Sequence, residues 1–255
     1  MYSKFFTTAI KPTIAASIQH IGAFTSGDLL FDWTSFQIPK GGAKLVNLTV
    51  LVRPKGDGGP TPNDNSITFL FSSSDTVSLG TAHGTVDNRP SNDFLGVVEI
   101  SSNHYSQTTH NSTSIGTMGV GSSGTANLPM TPLVLEGDGT SAYDTLYIAG
   151  VAADGSMNFE SLNAIAEDTD AEHANSQVIT TDGSGMDVRE HFMDGDVVHI
   201  GTSEGTPAAD SLIGTIASAD GASQVTLDAV SPTALVDGDI LYNINPIRII
   251  LQFER

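Results

Sequence analysis

Alternating apolar and polar residues recur in short stretches along this chain and predict a protein built of β-strands. The stretch from 45 to 53 shows the pattern most clearly, with Asn47, Thr49 and Arg53 on its polar face. Its core-facing residues are expected to be Val46, Leu48, Val50 and Val52. Further strands are predicted at 67–71, 94–100, 144–151 and 157–165. In the first of these, Ile67, Phe69 and Phe71 are expected to face the core.

The apolar alternation changes phase between residues 29 and 38. Leu29, Phe31 and Trp33 share one parity, whereas Phe36 and Ile38 have the other. A phase change within one strand is what a β-bulge produces, so a bulged strand is expected here. In this interpretation Trp33 is buried.

The last nine residues are unusually apolar for a chain end. Their core-facing set is expected to be Ile247, Ile249, Leu251 and Phe253. Such a stretch must pack into a sheet. We therefore expect the chain to return here to the sheet begun by its N-terminal half.

Two copies of Asp-Gly-Asp, at 194–196 and 237–239, each precede a β-branched run. Asp-Gly is a turn signal because glycine adopts positive φ freely and aspartate bonds its own backbone. Two shorter strands, at 212–216 and 224–227, lie between the copies. The segment 186–245 is thus predicted to be a compact four-stranded barrel or half-sandwich.

The sequence therefore predicts an all-β protein in three parts. Residues 1–26 are expected to form an extended arm. Residues 27–185 and 246–255 are expected to form a main β-sandwich resembling a jelly roll. The small unit 186–245 is expected to be inserted between two strands of that sandwich.

The net charge of −19 narrows the possible partners. There are 29 acidic and ten basic residues, with no Lys or Arg between Arg89 and Arg189. Such a surface repels phosphates, which argues against nucleic-acid binding and against anionic membranes. Cysteine is absent, so disulfides and thiolate chemistry are excluded. The N-terminus is a poor signal peptide and no stretch is apolar enough to span a bilayer, so we expect the protein to be made in a cytoplasm.

The residues that could hold a cation are acidic clusters without a complete motif. Asp168 and Asp170 resemble the start of an EF-hand loop, but His173 stands where the turn glycine is needed and Ile179 where the bidentate glutamate is needed. Glu136 and Asp138 are looser calcium candidates. Solvated turn carboxylates are the simpler interpretation, and no cofactor is predicted.

No catalytic motif is found. The glycine run 119–124 matches a dinucleotide fingerprint, but Pro129 and Pro132 forbid the helix that should follow it. The seven histidines lack metal-binding spacing, and no nucleophile elbow occurs. A carboxylate pair for glycoside hydrolysis cannot be nominated from 29 acidic residues. The sequence predicts a protein that is not an enzyme.

Two stretches carry a resemblance to a known class. The segment 27–41, Gly-Asp-Leu-Leu-Phe-Asp-Trp through Ile-Pro-Lys-Gly, and the paired Asp-Gly-Asp pattern of 194–242 resemble virion structural proteins of tailed bacteriophages, marine and cyanobacterial ones above all. The resemblance implies a head decoration (cement) protein bound to the major capsid protein on the outer capsid surface. It also implies a homo-oligomer, with a trimer among the options, and transfers no catalytic residue. A tail or fibre-associated protein and a carbohydrate-binding sandwich are the alternatives.

The arm is the predicted attachment element. Lys4, Phe5, Phe6, Ile10 and Lys11 are the expected contacts with the shell. Basic residues cluster in the N-terminal 55 positions and suit an acidic capsid surface, while 186–245 is expected to project outward. The competing interpretation makes the arm the first strand of the protein's own sandwich.

Overall fold

A computed structural model gives the fold of the chain. It describes residues 5–55, 61–87, 93–106, 113–119, 133–136, 143–159, 177–181, 187–202, 206–233, 235 and 239–255. Antiparallel strands in three sheets dominate these residues, which confirms the predicted all-β class. None of the described helices is long and apolar enough to cross a membrane.

Fifteen strands and two short α-helices follow one another along the described chain. The first nine strands are β1 (Phe5–Ile10), β2 (Leu29–Pro39), β3 (Ala43–Val52), β4 (Ile67–Ser72), β5 (Phe94–Ile100), β6 (Tyr105–Ser106), β7 (Ser114–Gly119), β8 (Leu133–Leu135) and β9 (Tyr143–Ala152). The remainder are β10 (Val178–Thr180), β11 (Val197–Thr202), β12 (Thr206–Gly221), β13 (Gln224–Leu227), β14 (Ile240–Asn243) and β15 (Ile247–Glu254). The helices are α1 (Ala16–Gln19) and α2 (Val188–His191), and a 3-10 turn spans Ser102–His104.

The main domain is a jelly roll. One sheet has the order β1-β15-β3-β7-β6, with β8 also pairing with β3, and the facing sheet has the order β2-β9-β4-β5. Without the short β6 and β8, each sheet keeps four strands, which come first, eighth, third and sixth along the chain in one sheet and second, seventh, fourth and fifth in the other. That order is the eight-stranded double Greek key of a jelly roll. The predicted jelly-roll-like sandwich is confirmed.

The core lies between these two sheets. Ile247, Ile249, Leu251 and Phe253 are fully buried in it, as the alternation of β15 predicts. So are Ile67, Phe69 and Phe71 of β4. Because β15 pairs with β1 on one side and β3 on the other, the C-terminal strand is central to its sheet.

Two bulges decide which side chains reach the core. In β2 the pairing with β9 shifts on both sides of Phe31, which confirms the expected bulge. The shift directs Phe31 into the main core and leaves Leu29 and Trp33 on the outer face, so the predicted common face of these three residues is wrong. In β3 the register with β15 shifts near Val46, which is only half-buried while its neighbour Leu45 enters the core.

The segment 1–26 differs from the expected extended arm. β1 pairs along its whole length with β15, from Phe5 opposite Glu254 to Ile10 opposite Ile249. Ile14 and Phe24 are both buried in the main core. The competing interpretation, a first strand of the protein's own sandwich, describes this segment correctly.

The small unit has its own sheet and its own core. The sheet order is β10-β13-β12-β11-β14, and the long, irregular β12 belongs to both halves of it. A separate apolar cluster fills it, which includes Phe192, Ile213 and Leu227. The unit has five strands rather than four, and β10 places its start before residue 186. It is inserted between β9 and β15, the last two strands of the jelly roll.

Candidate functional site

The predicted calcium ligands do not form a site among the described residues. Glu136 is exposed at the end of β8. Asp138, Asp168 and Asp170 lie outside the described residues. Among the residues that the structure describes, no group of three or more His, Asp or Glu side chains is arranged to hold a metal ion.

The predicted partner contacts of the arm are mostly used within the chain. Phe6 stacks on Phe253 with ring centroids 4.9 Å apart, and Ile10 is buried in the core. Lys11 binds Asp196 of the inserted unit at 2.8 Å. Phe5 is 59% exposed, and Lys4 lies outside the described residues.

Three of the six basic residues in the N-terminal 55 positions, Lys11, Lys44 and Arg53, have carboxylate partners within the chain. Arg53 is buried and paired with Asp196 at 3.1 Å, and Lys44 lies 3.7 Å from Glu254. These cations therefore have carboxylate partners inside the protein. The electrostatic reason for an attachment through this end is correspondingly weakened.

A buried polar joint, made of Lys11, Arg53, Asp196, Asn243 and Asn245, connects the inserted unit to the jelly roll. The turn 194–196 places Asp196 here, and Gly195 has φ of +77°, which glycine adopts without strain. One carboxylate oxygen accepts from Lys11, and the other accepts from Arg53 Nη2 at 3.1 Å and from Asn243 Nδ2 at 2.8 Å. The carboxylate is thus nearly inaccessible to solvent yet fully hydrogen-bonded, as a buried charge requires.

Backbone atoms complete the joint. Asn245 Nδ2 donates to Pro12 O at 3.3 Å, and its Oδ1 accepts from Val197 N at 3.2 Å. Gln19 Nε2 donates to the carbonyl of Asn243 at 2.8 Å. The asparagines therefore bond both the N-terminal segment and the inserted unit.

His191 is a buried imidazole beside the joint. It lies at the end of α2, and neither ring nitrogen has a hydrogen-bond partner among the described residues. Burial, and secondly the charge of Arg53, lower the pKa of His191 to about 4; Asp187 acts in the opposite direction. The imidazole is therefore neutral at pH 7.

The outer face of the β2-β9-β4-β5 sheet is the second distinctive region. The connection between β4 and β5 folds over its β2 end, where Leu79 and Val86 pack on Leu29 and Val151. Trp33 is half-buried there rather than buried as predicted, and its indole N–H donates to Val77 O at 3.1 Å. The described residues 73–87 of the connection thus cover only part of the face.

The part over β4 and β5, which we call the open face, is an apolar groove of about 640 Å³. Leu70 and Val151 lie nearly buried in it, while Phe94 is 37% and Val97 57% exposed. The described lining residues are Ser26, Gly27, Thr68, Leu70, Phe94, Val97, Glu99, Val151, Ala152 and Ala153. A concave apolar surface is one form that a binding site takes.

A bulge in β5 builds one wall of this groove. The pairing with β4 runs from Ile100 to Gly96 and then jumps to Phe94. The extra residue, Leu95, packs toward the core, so Phe94 joins Val97 on the outer face. Strict alternation from Val97 would instead have placed Leu95 outward.

Neither the buried joint nor the open face was predicted from the sequence. The joint pairs residues 143 and 185 positions apart, for which no local pattern exists. The one available signal was the Asp-Gly-Asp sequence at 194–196, which marked the turn but not the buried carboxylate of Asp196. For the open face, the strand 94–100 was predicted correctly, but its outward apolar residues carried no mark of exposure.

Comparisons with known proteins add little. No protein-family model matches this chain, and no curated protein matches it. Among solved structures, a chain of the Sulfolobus turreted icosahedral virus aligns at 11% identity over 99% of this chain and 90% of its own length. Its TM-score is 0.13, at which the alignment carries no argument about fold or function.

Proposed function

We propose that this chain is a non-enzymatic structural component of a virus particle, a decoration protein that binds the outer capsid shell. In this role the jelly roll attaches to the major capsid protein and the inserted unit is carried as an appendage. The protein works by contact, with no reaction to catalyse.

The observation that carries the proposal is the open face. A protein with 29 acidic residues and a net charge of −19 has abundant polar surface, yet it leaves Phe94 and Val97 exposed beside an apolar groove. Because Phe94 is 37% and Val97 57% exposed, covering the rest of each side chain would gain a fraction of the about 1.5–3 kcal/mol that full burial gives. We take this face as the surface that the partner covers.

Two further features support the class of partner. Jelly rolls are widely used in viral capsid proteins, although the same fold serves lectins and enzymes. The stretches 27–41 and 194–242 resemble phage virion proteins. The acidic surface suits an exterior position, away from packaged nucleic acid.

The arrangement modifies the expected attachment. We expected Lys4, Phe5, Phe6, Ile10 and Lys11 to reach the shell, but Ile10 and Lys11 are engaged within the chain. The open face also belongs mainly to the N-terminal half, through β4 and β5. The proposed contact therefore moves from the arm to this sheet.

The test is labelling of source particles with an antibody against this protein, viewed by negative-stain electron microscopy. Label spread over the head supports a decoration protein. Label confined to the tail indicates the alternative, a tail or fibre-associated protein. Unlabelled particles, in a preparation where the antibody recognises the purified protein, would contradict both roles.

A further inference from the structure

Strand β5 is the edge of its sheet. Among the described residues it pairs with β4 only, so its other side presents backbone donors and acceptors without a strand partner. Such an edge is a template for an added strand, and proteins commonly protect it with lysine and other charged residues, with proline or with a β-bulge. The segment from Phe94 to Ile100 contains no lysine or proline; its bulge lies at Leu95, and from Gly96 to Ile100 its pairing with β4 is regular, with Glu99 as the one charged residue.

The open face adjoins this edge directly. Val97 and Glu99 project outward from β5, and Leu70 and Thr68 project from its neighbour β4. A strand added beside β5 would continue the same surface, with alternate side chains over the groove. The edge of β5 therefore offers backbone hydrogen bonds, which give affinity for an added strand. The groove offers an apolar site for its side chains, which gives specificity.

The charge at the groove indicates which kind of segment can bind beside β5. Glu99 is the only charged residue among the ten described residues that line the groove, and it is exposed. A second copy of this chain would bring another net charge of −19 to an acidic rim, which disfavours self-association. A segment with lysine or arginine meets no such repulsion, and a cation directly across from Glu99 would stabilise the pair.

We propose that β5 receives an extended segment of the shell protein as an additional strand, with apolar side chains over Leu70 and Val97 and a lysine or arginine beside Glu99. This inference rests on the proposed function, since it names the partner of the same surface. It replaces the arm with β5 as the attachment element.

The size of the contact fits a decoration protein. Seven residues of β5 are available, and at about 3.3 Å per residue the added strand would be on the order of 23 Å long. One such contact is smaller than a typical stable interface and binds weakly alone. Repetition over a symmetric shell, or through several copies of this protein, converts weak contacts into stable attachment.

The probe is a seven-residue peptide, matched to the length of β5, with lysine at both ends, valine at the third and fifth positions and threonine elsewhere. A second peptide has glutamate in place of both lysines, and a third has proline at the central position. Binding to the full-length protein is followed by NMR titration of backbone amides. The lysine peptide is expected to shift the β5 amides, and the other two are expected to bind at least about tenfold more weakly.

Matched variants locate the contact. Val97→Lys and Glu99→Lys alter exposed residues of the groove and are expected to weaken the lysine peptide about tenfold or more. Val134→Lys and Glu136→Lys make the same changes at exposed positions of β8 and the residue after it, and should leave binding unchanged. Unaltered melting temperatures would show that all four variants fold.

Three results would overturn the proposal: no saturable binding of the lysine peptide, equal binding of the glutamate peptide, or equal losses in the groove and control variants. Self-association that disappears in Val97→Lys would also overturn it, since the occupant would then be a second copy. The peptide assay does not depend on particles. An unlabelled particle therefore counts against the proposed function alone, whereas labelled heads with unselective peptide binding count against the strand addition alone.

Discussion

The buried joint and the open face both depart from the usual distribution of side chains. The joint buries charged groups, and the open face exposes apolar ones. At the joint, the carboxylate of Asp196 is enclosed with its cationic partners Lys11 and Arg53 and its amide partner Asn243. The neighbouring Asn245 donates to Pro12 O. On the open face, Phe94 and Val97 are exposed on a strongly acidic protein. The polar groups of the joint have hydrogen-bond partners within the chain, whereas apolar side chains of the open face remain in contact with solvent.

The side chains of the two regions have different consequences for the protein. The joint satisfies each oxygen of Asp196, so its ion pairs act less as a source of net stability than as a fixed geometry for the inserted unit. On the open face, Phe94 has an edge-to-face contact with Trp33, with ring centroids 5.8 Å apart, yet stays 37% exposed, and Val97 is 57% exposed. This exposed apolar surface is what we propose a second protein covers. One region holds the molecule together, and the other is the surface that we propose a partner covers.

The largest effect is expected from removing the strand that follows the joint. Truncation after Pro246 deletes β15, whose four core residues each stabilise the fold by about 1.5–3 kcal/mol as an upper range. This is comparable with a domain's whole stability of about 5–15 kcal/mol. The truncated chain should lose its cooperative melting transition, monitored by circular dichroism. A soluble truncation with an unchanged melting curve would refute the central role of β15.

Asp196→Asn should have the next largest effect. It removes the charge that compensates Arg53 and Lys11 in a buried site, and breaking such a pair costs about 3–5 kcal/mol. Asp194→Asn is the matched control, because Asp194 lies two residues away and is exposed. Urea unfolding of the two variants measures the difference. Equal midpoints would show that the joint contributes no more than a surface carboxylate.

A pH titration of stability tests the buried imidazole beside the joint. Burial and Arg53 hold the pKa of His191 at about 4, below its ordinary value of 6.5. The unfolded chain therefore takes up the proton first, so the contribution of the neutral imidazole is complete above about pH 6.5 and is lost as the pH falls toward 4. The loss should amount to about 3 kcal/mol.

His191→Leu is the comparison for that titration. Between pH 7 and 4 the variant should lose less stability than the parent protein, because it has no imidazole to protonate at this position. Urea unfolding at several pH values gives both curves. Parallel curves would show that His191 does not titrate as its burial requires.

The smallest effect on stability is expected on the open face. Val97→Lys should change the free energy of unfolding by no more than about 0.5 kcal/mol, as surface substitutions usually do. Val98→Lys, one residue further along β5, places an ammonium group in the main core and should cost several kcal/mol. Denaturant midpoints of the pair measure the contrast. A large loss in Val97→Lys would mean that the open face is part of the fold.

The regular strands were predictable from sequence because their causes are local. β15 follows its alternation residue by residue, as β5 does from Gly96 to Ile100, and the return of β15 to the N-terminal sheet implied an inserted unit. Where a bulge intervenes, alternation fails: Val46 was assigned to the core, which Leu45 occupies instead. One additional residue in a strand reverses every side chain beyond it.

The arm and the joint were mispredicted for a different reason. Phe6 and Ile10 offer too little local pattern to distinguish a free segment from a strand beside β15. Lys11 and Arg53 appeared as free cations because their partner, Asp196, is distant in sequence. Such contacts exist only once the insertion has folded back on the jelly roll.

Attachment through the open face is tested by rebinding the protein to particles. Source particles stripped of this protein are incubated with the parent protein, Val97→Lys or the control Val134→Lys, and bound copies are counted by quantitative gel densitometry. Over a series of protein concentrations, we expect the parent and the control to reach half occupancy at the same concentration, and Val97→Lys to need a concentration at least about tenfold higher. Equal occupancy by Val97→Lys would contradict attachment through the open face, and failure of the parent protein to bind would contradict the decoration role itself.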